Sequence, residues 1–203
     1  MVRAYHLILT AYGFWLPNDP RGSWSTFVRN IELYRQAGPA TKVTTKQSVA
    51  HHSHNHHQRR QAKQALKYPP VVFTGQQARA ITQGFADYIT KNNRRVFACA
   101  VMPDHAHFVI ERCERSIEIV AEHLKARATT FLNRQNLHPL QAHANTKGRA
   151  PTPWARHAWS VFLSGHRDIA RTIRYVEQNP IKAGHRPQHY DWVTPFTPNK
   201  PPV

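Results

Sequence analysis

Cysteine, acidic residues and long apolar runs are all scarce in this sequence, and each scarcity excludes a class of protein. The 203 residues include only Cys99 and Cys113, which do not form a C-x-x-C pair, so neither a disulfide framework nor a cysteine-rich zinc site is expected. No apolar stretch reaches the ~18 residues that a membrane-spanning helix needs, and the first residues contain no apolar signal core. We therefore expect a cytoplasmic protein with no membrane partner.

The shortage of acidic residues leaves the chain strongly basic. Lys and Arg number 28, Asp and Glu number 11, and the net charge at pH 7 is +17. Such an excess indicates a polyanionic partner rather than a particular fold, and nucleic acid is the leading candidate. An acidic membrane surface is the alternative, but no basic amphipathic helix in the sequence supports it. The length suits one domain, or one domain with a large insertion.

Apolar periodicity and capping signals predict seven main elements of secondary structure. They are strands at residues 4–10, 96–102, 105–111 and 154–163, and helices at 75–90, 117–135 and 167–179. Without the last helix, the order is strand, helix, strand, strand, helix, strand, which is the ferredoxin-like, split βαβ arrangement. We expect an α+β fold with an antiparallel sheet, helices on one face, the strand 105–111 in the middle, and a C-terminal helix that stops before Pro180.

The stretch between the first strand and the first of these helices is long and follows no such pattern. Residues 13–30 are predicted to be an ordered loop, in which Trp15 and Trp24 either pack in a core or stack on bases. Residues 38–70 are predicted to be a basic, His-rich insertion in a single catalytic domain that spans residues 1–203. This insertion carries His51, His52, His54, His56, His57, Arg59, Arg60, Lys63 and Lys67.

The histidines of the insertion could form a metal cluster, but they have no fixed spacing and no cysteine partners. We prefer a solvated basic segment, helical from Gln58 to Leu66. Its cations would contact DNA phosphates without reading sequence, and Arg59, Arg60 and Lys63 are the candidates.

His105-Ala106-His107 opens the strand that should lie in the middle of the sheet. Residues i and i+2 of a strand point to the same face, so the two imidazoles should project together. Two neutral imidazoles side by side provide half of a divalent-metal site. The alternative is a pair of histidines on the polar face of a half-buried strand.

The last predicted helix carries Tyr175 and Asn179, which are four residues apart and therefore lie on one face. A phenol and an amide oxygen would then point the same way. The alternative for Tyr175 is a tyrosine in a core or at an interface.

Together, two motifs in this order resemble those of the HUH single-tyrosine transposases, and in particular the REP-associated tyrosine transposases. The first motif is Met-Pro-Asp-His-Ala-His at residues 102–107, and the second is Tyr-Val-Glu-Gln-Asn-Pro-Ile-Lys-Ala-Gly at residues 175–184. The resemblance covers residues 95–112 and 154–185 well and residues 4–12 loosely. Ala106 replaces the bulky apolar residue that usually stands between the two histidines, but it should point to the opposite face.

The resemblance implies a metal-dependent transposase that nicks and rejoins DNA. His105 and His107 would bind Mg²⁺ or Mn²⁺, with Asn179 as the third ligand and Gln178 as the second choice. Tyr175 would attack the scissile phosphate and form a 5′-phosphotyrosine intermediate. Arg171 or Arg174 could help the phenol to ionise, and no general base is evident.

The same resemblance implies single-stranded DNA with hairpins as the partner, a monomer or homodimer, and a nucleoid-associated location. Arg171, Arg174 and Lys182 are the candidates for DNA contact on the tyrosine helix. A domesticated, non-catalytic DNA-binding protein of the same fold is the alternative. A phosphodiesterase without a covalent step would need a second H-x-[HTS] strand, and only one such strand is found.

Overall fold

The computed structural model of this chain describes residues 1–45, 49 and 52–198. The chain divides into two compact units, one made of Met1–Ala11 with Val72–Val203 and the other of Tyr12–Val71. The first unit is called the sheet unit below, and the second is called the insertion unit. A single domain over residues 1–203 with a basic insertion at about 38–70 stays a prediction.

In the described residues the chain forms four strands and five α-helices, which confirms the predicted α+β class. In chain order they are β1 (Ala4–Thr10), α1 (Ile31–Ala37), α2 (His56–Gln64), α3 (Gly75–Lys91), β2 (Val96–Val101), β3 (His105–Glu111), α4 (Ile117–Arg134), β4 (Trp159–Leu163) and α5 (His166–Lys182). A 3₁₀ turn at Gln141–His143 lies between α4 and β4. None of the helices in the described part of the chain is both long and apolar enough to cross a membrane.

The four strands form one antiparallel sheet in the order β2-β3-β1-β4. Strand β3 therefore lies between β2 and β1, in the interior position that was predicted for the histidine strand. The register of β1 against β3 pairs Ile8 with His107 and His6 with Val109. Paired residues share a face of the sheet, and so do residues two apart on one strand. His6, His107 and Val109 consequently lie on the same face.

Helices cover both faces of the sheet. Phe108 of β3 packs edge to face against Phe85 of α3, with ring centroids 5.0 Å apart. Val109, the next residue of β3, lies in a buried cluster with Ile169 and Val176 of α5. Because successive strand residues point to opposite faces, α5 covers the face opposite to α3. The side chains of His105 and His107 are on the α5 face.

The predicted capping signals of α3 and α4 are confirmed. Thr74 and Gln77 form a reciprocal capping box at the start of α3, with the Thr74 backbone N–H donating to Gln77 Oε1 over 2.9 Å. Ser116 caps α4 by accepting a hydrogen bond from the backbone N–H of Ile119. These caps satisfy donors that the first turn of a helix leaves without partners.

Two boundaries near the site differ from the prediction. Strand β4 begins at Trp159 rather than Trp154, which forms only an isolated bridge with Ala11. The carbonyls of Ala155 (3.0 Å) and Arg156 (3.3 Å), between the bridge and the strand, accept hydrogen bonds from Lys125 Nζ. Helix α5 does not stop before Pro180 but includes it and ends at Lys182. Pro180 is buried and only two helical residues follow it, so the missing N–H removes one hydrogen bond of the last turn.

The insertion unit has a small core of its own. Leu16, Leu33 and Ala62 form a buried cluster, which joins the first loop to α1 and α2. Helix α1 was not predicted, and α2 begins at His56 and ends at Gln64 rather than running from Gln58 to Leu66. Asn30 and Asn55 cap these two helices by accepting backbone hydrogen bonds. Such a cap is hard to recognise in the sequence when the helix after it is short.

Candidate metal and nucleophile site

The histidine pair of β3 lies where the spacing predicted it. The ring centroids of His105 and His107 are 4.7 Å apart, with the rings nearly perpendicular. His107 is buried, with 4% of its surface exposed. Two imidazoles at this separation on one strand face can contact the same small ligand.

Each of these histidines is hydrogen-bonded through its Nδ1 atom. Nδ1 of His105 lies 2.7 Å from Oδ1 of Asp104, and Nδ1 of His107 lies 3.0 Å from Nε2 of His6. In metalloproteins a ligating histidine commonly donates its second N–H to a carboxylate or another acceptor. A metal ion would therefore be bound through Nε2 of both residues.

Burial keeps the inner histidines of the site uncharged. It lowers the pKa of His6 from its ordinary value to about 4. Burial also places the pKa of His107 well below its ordinary value, and the neighbouring His105 and His6 lower it further. Both rings are therefore neutral at pH 7, which is the form that binds metal ions.

Tyr175 reaches the site from α5. Its ring centroid lies 5.7 Å from that of His107 and 5.7 Å from that of His6. The tyrosine is 45% exposed, so one side of its ring packs against the histidines while the rest faces solvent. A substrate in solution can reach a phenol in this position without any opening of the fold.

Asn179 and Gln178 differ in their surroundings, although both follow Tyr175 by about one turn. Gln178 is exposed, whereas Asn179 is half-buried. The Nδ2 atom of Asn179 is buried and makes no hydrogen bond within the described residues. This nitrogen is a hydrogen-bond donor, whereas a metal ion would bind the amide oxygen, so the unpaired Nδ2 atom does not identify the ligand. Asn179 as the third ligand, with Gln178 as the second choice, stays a prediction.

The histidine pair supplies two ligands that fit a divalent metal ion, but it is not a complete cluster of ionisable ligands. In the described ranges no group of three or more His, Cys, Asp or Glu side chains is placed to hold a metal ion. Two imidazole nitrogens are ligands of intermediate character, and they leave coordination positions for an amide oxygen, phosphate and water. The proposed ligands thus suit a metal ion whose coordination shell is completed by the substrate.

The cations proposed for DNA contact on α5 are all exposed. Arg171 forms an ion pair with Asp168 of the first turn, with an Nη2 to Oδ1 distance of 2.9 Å. Arg174 and Lys182 are exposed on the same helix. All three can reach a polyanion, and their role in binding stays a prediction.

The predicted cations of the insertion unit are in different environments. Arg59 forms an ion pair with the buried carboxylate of Asp19 at 3.3 Å, so it has a structural partner. Arg60 is exposed, Lys63 is half-buried, and Lys67 lies over the ring of Tyr68. Of the histidines, His54 and His56 have ring centroids 4.1 Å apart, whereas His51 lies outside the described residues.

The two tryptophans for which stacking on bases was considered are also in different environments. Trp15 is covered by the guanidinium of Arg21, 3.7 Å from its ring centroid, and its indole N–H donates to the Gly22 carbonyl. Trp24 is 41% exposed. Trp15 therefore has a structural role, and stacking on bases stays a prediction for Trp24.

His6 is a residue of the site that the sequence alone did not reveal. It lies in β1, 101 residues before His107, and only the pairing of β1 with β3 brings the two rings together. The available signal was a histidine among apolar residues in a predicted strand, since such a residue needs a buried polar partner.

Comparison with known proteins gives the family of the chain. The sequence model of the IS200-like transposases matches residues 64–179, more than half of the chain, and this segment contains His105, His107, Tyr175 and Asn179. The chain belongs to the IS200-like transposase family, which confirms the resemblance noted in the sequence. No curated protein matches the chain.

Two solved structures are similar at low identity. The first is a REP-associated tyrosine transposase bound to a REP hairpin, with 15% identity over 54% of this chain and a TM-score of 0.41. The alignment spans 58% of the length of that protein. The second is a Deinococcus radiodurans R1 protein described as a transposase, with 16% identity, 91% of this chain and 93% of that chain covered, and a TM-score of 0.42.

Proposed function

We propose that this protein is a DNA strand transferase that nicks and rejoins single-stranded, hairpin-bearing DNA through a 5′-phosphotyrosine intermediate. The observation that carries the proposal is the position of Tyr175, whose ring centroid lies 5.7 Å from that of His107 on the sheet face that bears the histidine pair. A nucleophile beside a candidate metal site is the arrangement that phosphoryl transfer requires.

In the proposed reaction the phenolic oxygen of Tyr175 attacks the scissile phosphorus. The new bond joins the phenolic oxygen to phosphorus, which stays attached to the 5′ oxygen of the downstream strand. The bond from phosphorus to the 3′ oxygen of the upstream strand breaks, and that oxygen takes up a proton to become a 3′-hydroxyl. The phenol proton leaves as the attack proceeds. Attack by a second 3′-hydroxyl on the phosphotyrosine reverses the steps and joins two strands without ATP, because the energy of the phosphodiester is kept in the covalent bond.

The residues that would hold Mg²⁺ or Mn²⁺ are His105, His107 and Asn179. When bound, the ion would polarise the scissile phosphate and stabilise charge on its oxygens. The neutral state of His107 suits this role, since a protonated imidazole cannot bind a metal ion.

The proposed substrate follows from charge and from the motifs. A net charge of +17 suits a polyanion. The resemblance of the two motifs to REP-associated tyrosine transposases motivates a hairpin in the DNA. The cations of α5 would contact the strand beside the scissile phosphate, and the exposed cations of the insertion unit would add contacts that do not depend on sequence.

Incubation with a panel of labelled hairpin oligonucleotides tests this function. We expect a covalent protein–DNA adduct in the presence of Mn²⁺ and none in the presence of EDTA. Oligonucleotides of equal length without a hairpin are the matched control, and they should give less adduct. Tight hairpin binding without any adduct under all conditions would contradict strand transfer and would favour a non-catalytic DNA-binding protein.

A further inference from the structure

His6 is a buried histidine of β1 that lies directly against the candidate metal ligand His107. It is 8% exposed, and its ring stacks on that of His107 with centroids 5.1 Å apart and planes 23° apart. Tyr175 packs edge on against the same ring, at 5.7 Å. His6 thus contacts both a candidate metal ligand and the candidate nucleophile, although it is itself neither a proposed ligand nor a nucleophile.

The hydrogen bond between the two rings can have only one of two directions. Nε2 of His6 and Nδ1 of His107 are 3.0 Å apart, and a hydrogen bond between two nitrogens has a single proton between them. If His107 donates, its own Nε2 keeps a lone pair. If His6 donates, His107 must carry its proton on Nε2, and that nitrogen can no longer bind a metal ion.

We propose that His6 is a positioning residue that accepts a hydrogen bond from Nδ1–H of His107 and thereby keeps the Nε2 lone pair of His107 for the metal ion. This inference rests on the proposed function for the presence of the metal. It adds a residue outside both sequence motifs, and it assigns a tautomer to each of the two histidines.

The neighbouring histidine shows the same arrangement. Asp104 Oδ1 is 2.7 Å from Nδ1 of His105, so each histidine of the pair has a hydrogen-bond partner at Nδ1. His105 is partly exposed and has a carboxylate, whereas the buried His107 has a neutral imidazole. Burying a carboxylate is far more costly than burying a neutral ring, so an imidazole is the acceptor that suits the inner position.

The tautomers can be measured directly in the metal-free, full-length protein. Long-range ¹H–¹⁵N NMR of the histidine rings distinguishes a proton on Nδ1 from one on Nε2. We expect both His6 and His107 as Nδ1–H tautomers. A wild-type spectrum with His107 protonated on Nε2 would overturn the proposal.

Substitution of His6 tests the consequence for metal binding. His6→Phe keeps a ring but removes the acceptor, and loss of such a partner typically weakens metal binding by about 10–100-fold. His6→Gln restores an acceptor through its amide oxygen and should recover most of the affinity. The affinity for Mn²⁺ alone, measured by electron paramagnetic resonance on the full chain, is the readout.

The control is another buried histidine of the sheet unit. His138 is 7% exposed and accepts a hydrogen bond from the Leu140 backbone through Nδ1. His138→Phe should lower stability but leave the Mn²⁺ affinity unchanged. A folded His6→Phe protein that binds Mn²⁺ as tightly as wild type would contradict the proposal. If the proposed function itself were wrong, the wild-type protein would bind no Mn²⁺. The NMR measurement needs no metal, so it would still decide whether His6 accepts the hydrogen bond from His107.

Discussion

Single side chains set the chemistry of the site through their protonation states. His107 is buried, neutral and hydrogen-bonded on one nitrogen, and His105 has the same bond pattern with Asp104. Because its pKa is well below the ordinary value, the neutral His107 ring can take up a divalent cation without first releasing a proton. The half-exposed Tyr175 beside them is accessible to a phosphate in solution.

Removal of either histidine should remove metal-dependent chemistry. His105→Ala or His107→Ala deletes one of the proposed metal ligands, so we expect DNA cleavage in Mn²⁺ to fall to background while hairpin binding remains. Cleavage assays in Mn²⁺ and in EDTA measure this, and His138→Ala is the control because His138 is buried elsewhere in the sheet unit. Cleavage that continues unchanged in EDTA would refute a metal role for the pair.

The sequence alone could predict the placement of His105 and His107, but not that of His6. The pair depends only on the two-residue period of one strand, which is a local property. His6 depends on the register between β1 and β3, which pairs residues about 100 positions apart. Register is decided by the packing of whole faces, and a single sequence does not specify it.

At the scale of elements, α3 and α4 form the layer that supports the histidine strand from behind. The two helices approach so closely that a Cβ atom on Gly84 would lie 2.6 Å from the Cα of Ala128 and 2.8 Å from its backbone nitrogen. Contacts this short with backbone atoms cannot be relieved by a side-chain rotation. Gly84 therefore determines the distance between the helices.

Gly84→Ala should destabilise the fold by forcing α3 and α4 apart. Overpacking of this kind typically costs about 1–3 kcal/mol, which urea unfolding can measure. Gly75→Ala in the first turn of the same helix is the matched control, since a Cβ there meets nothing within 4 Å. Equal stabilities of the two variants would show that the close approach is not maintained in solution.

The elements also show where sequence reasoning succeeds and where tertiary packing overrides it. The bounds of β1, β3, α3 and α4 follow from alternation, apolar stripes and caps, which are local signals. Pro180 was expected to end α5, but the helix includes it because the proline is buried and lies in the last turn. Strand β4 starts five residues later than predicted, and the carbonyls of Ala155 and Arg156 before it bind Lys125 of α4, a contact that the local sequence does not show.

At the scale of the whole molecule, a buried ion pair stabilises the insertion unit. Asp19 is 1% exposed and accepts two side-chain hydrogen bonds from Arg21, each 2.8 Å long. Burial alone would raise the pKa of Asp19, but the hydrogen bonds from Arg21 and the charges of Arg21 and Arg59 outweigh it, so the pKa lies below its ordinary value.

Asp19→Asn should destabilise the insertion unit by leaving Arg21 buried without a counter-charge. Breaking a buried pair costs about 3–5 kcal/mol, measured by urea unfolding at pH 7. Because the folded pKa is lowered, wild type has this stabilisation above the unfolded pKa of ~3.9 and loses it as the pH falls through the folded pKa. The difference between variant and wild type should therefore shrink in acid.

Glu32→Gln is the control for this substitution. Glu32 pairs with Arg35, but the two side chains are 57% and 68% exposed. An exposed pair contributes about 0–1 kcal/mol, so its loss should be small at every pH. If Asp19→Asn lost as little stability as Glu32→Gln, the buried ion pair would add little to the stability of the insertion unit.

The charge of the molecule predicts how it binds DNA. Affinity for single-stranded DNA should fall steeply with salt, and each lost phosphate contact should lower the slope of log K against log salt by about 0.7. Replacing Arg60, Lys63 and Lys67 by Ala should flatten this slope but leave the preference for hairpins. Arg59 is left out, because it pairs with the buried Asp19. The binding constants come from fluorescence anisotropy titrations at several salt concentrations.

Charge-conserving changes at the same three positions are the control, and they should leave the slope unchanged. Arg60→Lys with Lys63→Arg and Lys67→Arg keeps the number of cations. An affinity that does not depend on salt would mean that the positive charge serves another partner.

The identity of the nucleophile tests the account most directly. Wild-type protein incubated with a hairpin oligonucleotide and Mn²⁺ is digested, and mass spectrometry locates the residue that carries the DNA phosphate. We expect the phosphate on Tyr175. Tyr175→Phe keeps the ring that packs on His6 and His107, so it should fold and bind hairpin DNA as wild type does but form no adduct. A phosphate on any other residue, or an adduct formed by Tyr175→Phe, would contradict the proposed mechanism.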